Sequence, residues 1–148
     1  MKEQIKPNII GHRVAAIDFG LKRVGLAYCD ELHISITPSD TLDYTSPKFW
    51  ELLTSKLAEL KIKHIVVGVP VWHTQNEKFS KKLSNFINKL SQNTDFDVST
   101  IDESFTSQRA TETMIEIGKK KSTRSEKGQK DKIAAALILR DFLDEYGA

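Results

Sequence analysis

The run His64-Ile65-Val66-Val67-Gly68-Val69-Pro70 limits the possible folds most severely. It is apolar without alternation and ends in a turn signal. Such a run suits a strand buried on both faces, as at the centre of a sheet with helices on either side. The flanking segments supply its neighbours. Val14 to Asp18 and Arg23 to Cys29 are short apolar runs, and Phe19-Gly20-Leu21-Lys22 between them fits a hairpin connection. Ile34 and Ile36 alternate with Ser35 and Thr37, suggesting a third, shorter strand that completes an antiparallel meander.

Helical spacing then takes over. Phe49, Leu52, Leu53, Leu57 and Leu60 mark one helix, with Ser46 and Pro47 placed as cap and first-turn proline. Phe79, Leu83, Phe86, Ile87 and Leu90 mark a second. Asp97 to Ile101 reads as a strand ending at Asp102 and Glu103, and Ala110 to Ile117 and Asp131 to Tyr146 read as the last two helices. A meander followed by α–β–α–β–α–α predicts an α/β fold, a mixed five-stranded sheet flanked by helices on both faces through right-handed crossovers.

The 148 residues suit a single domain over 1–148, with 1–12 expected to be a flexible N-terminal extension. The lone Cys29 excludes an internal disulfide and a cysteine-cluster metal site, and fits a reducing, cytoplasmic setting. No apolar run approaches the ~18–20 residues of a membrane span, and no signal peptide is recognisable. Net charge is only +2, so charge distribution matters more than its total. Gly118 to Lys132 holds Lys119, Lys120, Lys121, Arg124, Lys127, Lys130 and Lys132 against Glu126 and Asp131. With Ser122, Thr123, Ser125 and Gly128 it reads as a mobile basic loop, either a phosphate grip or a solvated segment.

Three acids stand at element ends. Asp18 closes the first strand, Glu103 follows the last strand beside Asp102, and Asp131 opens the closing helix on the face of Ala134, Ala135, Ile138 and Phe142. Each alone has a structural explanation as a turn, loop or first-turn residue. Together, the topology can bring them to one edge of the sheet. Two carboxylates about 4 Å apart repel by roughly 4 kcal/mol at an effective dielectric of 20. A divalent cation relieves that repulsion, and oxygen-only ligation suits Mg²⁺ or Mn²⁺. Metal at such a site points to phosphodiester hydrolysis. His12, His33, His64 and His73 show no two-histidine metal spacing; His64 and Cys29 read as structural.

Asp18-Phe19-Gly20-Leu21-Lys22-Arg23-Val24-Gly25-Leu26-Ala27, Val66-Val67-Gly68-Val69-Pro70, Asp102-Glu103-Ser104-Phe105-Thr106-Ser107 and Lys127-Gly128-Gln129-Lys130-Asp131 with Ala134-Ala135 and Ile138-Leu139 come in the order and spacing of the YqgF/RuvX family, which the chain resembles from about Val14 to Phe142. These bacterial ribonuclease-H-like proteins are described as Holliday junction resolvases and as nucleases maturing the small-subunit ribosomal RNA precursor. The resemblance implies a ribonuclease-H-like fold and a catalytic, metal-binding triad of Asp18, Glu103 and Asp131 with Mg²⁺ or Mn²⁺, as two ions. Lys22 and Arg23 resemble the family's basic residues beside the first acid. With Lys119, Lys120, Lys121, Arg124 and Lys127 they are the expected nucleic-acid contacts. Three positions depart from the family's pattern: Ser104 stands where it usually has Arg, Val71 to Asn76 replaces its usual loop after Pro70, and Lys130 replaces an apolar residue. The expected partners are an rRNA precursor or branched DNA and ribosomal components, with no membrane, for a monomer or homodimer. Two other classes compete: a non-catalytic nucleic-acid-binding module, and an actin-like or sugar-kinase-like ATP-binding protein, which needs a second domain copy.

Overall fold

A computed structural model describes residues 8–70, 75–92, 96–103 and 126–147, the side chains of 126–131 excepted. Five strands, β1 (Val14–Phe19), β2 (Arg23–Cys29), β3 (Ile36–Asp43), β4 (His64–Pro70) and β5 (Asp97–Glu103), form one sheet in the order β3-β2-β1-β4-β5. β1–β2 and β2–β3 pair antiparallel, and β1–β4 and β4–β5 pair parallel. The described helices are α1 (Phe49–Glu59), α2 (Glu77–Ser91) and α3 (Glu126–Tyr146). This is the mixed, helix-flanked sheet expected, with β4 inside it. None of the described helices is long and apolar enough to cross a membrane.

Alternation along the strands builds two cores. Ala15, Ile17, Phe19, Val24, Leu26, Ile65 and Val67 face α1 and α2, meeting Phe49, Leu53, Leu57, Phe79, Leu83, Phe86 and Leu90. Val14, Ala16, Ala27, Cys29 and Val66 face α3, meeting Ala135, Ala136, Ile138, Leu139, Phe142 and Leu143. The imidazole of His64 stacks on Phe142 at 5.7 Å between ring centroids, while Ile138 lies over Gly68. Helix α3 therefore runs antiparallel to β4, with its N-terminal half toward the C-terminal ends of β1, β4 and β5. His64 Nε2 also lies 2.9 Å from Ser99 Oγ, so this histidine is structural as expected.

Several boundaries differ from expectation. β3 begins at Ile36 and runs to Asp43, leaving Ile34 exposed. α1 begins at Phe49 with Lys48 as its cap, so Pro47 precedes the helix, and Ser46 Oγ instead accepts from Lys48 N–H at 3.2 Å. α3 begins at Glu126, five residues before the expected start, and the basic stretch expected to be one mobile loop is helical from there. Glu126, Lys127, Gln129 and Lys130 are good helix formers, and one internal Gly128 costs only about 1 kcal/mol, readily offset by packing of the apolar face downstream. Ile9, in the segment expected to be flexible, is fully buried in the α3-side core, and His12 N–H donates to its carbonyl at 3.0 Å. The expected helix Ala110 to Ile117 lies outside the described residues.

Candidate active site

Strand parity places the acids. Val14 and Ala16 face α3, so Asp18, two residues on, faces the same way at the end of β1. Its register partners are Gly25 on β2 and Gly68 on β4. Both cross-strand neighbours of Asp18 are thus glycines, which put no side chain of their own beside the carboxylate. Gly68 pairs with Ile101 of β5, and Glu103 lies two residues beyond Ile101 on the same face. A Cβ at Gly68 would sit 3.1 Å from Glu103 Oε2, so the Glu103 carboxylate leans back over β4, one strand from Asp18.

Glu103 is an uncommon carboxylate. It is half-buried, and its Oε2 is enclosed with no hydrogen-bond partner among the described residues. Burial pushes its carboxyl above the ordinary glutamate range. An enclosed acceptor without a donor costs about 1–3 kcal/mol, more when charged. The geometry leaves this oxygen a lone pair to give, and a hard divalent cation is the chemistry that carboxylate oxygens fit.

The third acid is placed only in part. Asp131 lies on the second turn of α3, about 10 Å of helix axis before Ile138, at the end of the helix directed toward the acids. Its side chain lies outside the described residues, and among the described residues no three His, Cys, Asp or Glu groups converge on a metal position. Lys22 is exposed in the β1–β2 turn at the same sheet end, its carbonyl accepting from Tyr44 N–H at 2.9 Å. Arg23 opens β2 opposite Asp43. Lys127 is on α3 with an undescribed side chain, and Lys119, Lys120, Lys121, Arg124, Ser104 and the Val71 to Thr74 segment with Trp72 lie outside the described residues. Sequence reasoning named Gly25, Gly68 and Ile138 but missed their placement around the acids. A glycine inside a strand run is the signal that marks such close approaches.

The sequence profile of the RuvX family, described as Holliday junction resolvase, matches residues 12–145. The chain belongs to the RuvX family. An Endomicrobium trichonymphae protein named "Putative pre-16S rRNA nuclease" is 36% identical over 135 residues, covering 90% of this chain and 96% of the relative. An Amoebophilus asiaticus protein of the same name is 35% identical over 136 residues, covering 90% and 95%. Among solved structures, a fowlpox virus resolvase in complex with substrate Holliday junction DNA matches with a TM-score of 0.59 at 13% identity, covering 90% of this chain and 97% of that one. That likeness shows the shared ribonuclease-H-like fold. With the RuvX profile spanning β1 to α3, Asp18, Gly68 and Glu103 all fall within the matched region.

Proposed function

We propose that this RuvX-family chain is a metal-dependent endonuclease hydrolysing phosphodiester bonds in structured nucleic acid, with Asp18, Glu103 and Asp131 holding the metal. The observation that carries this reading is the enclosed Oε2 of Glu103, without a donor among the described residues and set over Gly68 one strand from Asp18. All-oxygen donors suit Mg²⁺ or Mn²⁺, and ions held there would supply a means of activating water and neutralising the leaving oxygen. The chain's own part is positional. Asp18 is fixed on a central strand, and Glu103 reaches toward it over Gly68, its Oε2 enclosed. Lys22 and Arg23 flank this end of the sheet, and Lys119, Lys120, Lys121, Arg124 and Lys127 add cations for neighbouring phosphates, contacts that position a backbone without reading bases.

The substrate favoured here is the 16S rRNA precursor, cut at its 5′ end in the cytoplasm among ribosomal components, because relatives aligned along nearly the whole of both chains carry that name. The test is a side-by-side cleavage assay with Mg²⁺ and Mn²⁺ on a precursor rRNA fragment and a four-way DNA junction. Metal-dependent cutting of the RNA alone supports the favoured substrate, and cutting of the junction alone replaces it with resolution of Holliday junctions. Binding without cutting of either makes the chain a non-catalytic module.

A further inference from the structure

We propose that Gly68 is a positioning residue for the acid pair, its missing side chain being the passage through which the Glu103 carboxylate reaches across β4 toward Asp18. The inference rests on the nuclease reading of the site and adds a residue to it. The strand order β1-β4-β5 places β4 between the two acids. Position 68 is in register with Asp18 and with Ile101, and faces α3 as both acids do. Any side chain there would stand between Asp18 and Glu103.

Two different groups close on that position. A Cβ at Gly68 would lie 2.3 Å from Ile138 Cδ1, 2.8 Å from Ile138 Cγ1 and 3.1 Å from Glu103 Oε2. The first two contacts are packing. They let α3 lie directly on bare backbone, so that Ile138 roofs the spot where Glu103 sits. The third belongs to the site, because a methyl at 68 would push back the oxygen that has no hydrogen-bond donor among the described residues. Among the described residues no hydrogen bond holds that oxygen in place. Ile65, Val66, Val67 and Val69 around Gly68 are branched and apolar, and a glycine in that run forfeits packing and strand propensity. The forfeited packing corresponds to the space that the carboxylate uses.

The two contacts can be separated by mutation. Ile138→Ala removes both crowding carbons and makes room for a methyl at 68 as far as packing is concerned. Gly68→Ala/Ile138→Ala should therefore be at least as stable in thermal melts as Ile138→Ala alone. Yet its Mn²⁺ affinity by calorimetry and its kcat should fall by about tenfold or more against Ile138→Ala, the scale on which supporting groups tune metal sites. KM for the nucleic acid should stay unchanged. If the double variant binds Mn²⁺ and cleaves as Ile138→Ala does, Gly68 serves helix packing only and the proposal fails. If the double variant is less stable than Ile138→Ala, the crowding lies elsewhere and the proposal also fails. Glu103→Gln, run in parallel, tests the underlying reading. Wild-type metal binding and cleavage by that variant would overturn the site itself, whereas their loss alongside an unimpaired double variant would overturn only the role of Gly68.

Discussion

The two faces of the sheet are built from different material. Toward α1 and α2 the chain uses large rings: Phe19, Tyr44, Phe49, Trp50 and Phe86 interlock with centroid separations of 4.7 to 6.2 Å. Toward α3 the sheet offers the smaller Val14, Ala16, Ala27, Cys29 and Val66, and the helix answers with Ala135 and Ala136 beside Ile138, Leu139, Phe142 and Leu143. Aromatic side chains bury more area each and carry more of the stability. Small ones let a helix approach closely, and on this face the strands end in Asp18 and Glu103. Both faces are cores, one built on rings and the other also carrying Asp18 and Glu103, the acids of the proposed site. Substitutions on the two faces should therefore fail in different ways.

The largest effect is expected on the face that carries the acids. Asp18→Asn should leave far-ultraviolet circular dichroism and the thermal midpoint near wild type while lowering cleavage by more than the roughly 10–100-fold that loss of an outer supporting group costs a metal site. A variant that cuts normally would detach this face from catalysis. On the aromatic face, Phe86→Ala should cost about 3–5 kcal/mol in urea denaturation, since four rings lean on it. Its Mn²⁺ affinity, measured at a temperature where it is folded, should match wild type, and a weakened affinity would show that the faces are coupled.

Ala135→Leu tests the close approach directly. Overfilling should cost about 1–3 kcal/mol and, unlike Phe86→Ala, should also lower kcat by shifting α3 off the sheet. The smallest effect concerns His64, on the α3 face at the end away from the acids. Burial lowers its pKa, against the carboxylate of Asp97, which raises it, and with His12, which lowers it further. The folded state therefore prefers the neutral ring. Its contribution to stability is complete above the unfolded value near 6.5 and is lost as pH falls through that value toward the lower folded one. The stability difference between wild type and His64→Leu should accordingly shrink from pH 7.5 to pH 5.5 in urea titrations, and a constant difference would mean that folding leaves the ring's proton affinity unchanged.

Where periodicity was strong, the elements could be read from sequence. β4, α2 and β5 lie where their apolar patterns put them, and the acids at the ends of β1 and β5 were legible as acids ending apolar runs. β3 was read short because it is an edge strand with Pro38 inside it and few buried positions, so no alternation announces Thr37 to Asp43. The first turn and a half of α3 was read as loop because Glu126 to Lys130 carries no apolar stripe. Such a stretch is helical by propensity and by continuity with the packed turns after it. Gly25 and Gly68 were visible as letters. Their meaning was not, because it lies in cross-strand register: only pairing shows that both flank Asp18.

That pairing also sets when the acids can meet during synthesis. β1 and β2 are neighbours in sequence and can join as soon as both have left the ribosome, but β1 reaches β4 only after the whole of β3 and α1 has been made. β5 comes later still, and closing such long loops is the slow part of folding. A nascent chain that ends before β5 carries Asp18 without Glu103 and offers no acid pair to a cation. Completion of the sheet and arrival of the second acid are one event, so a half-made chain carries the first acid as an inert strand end.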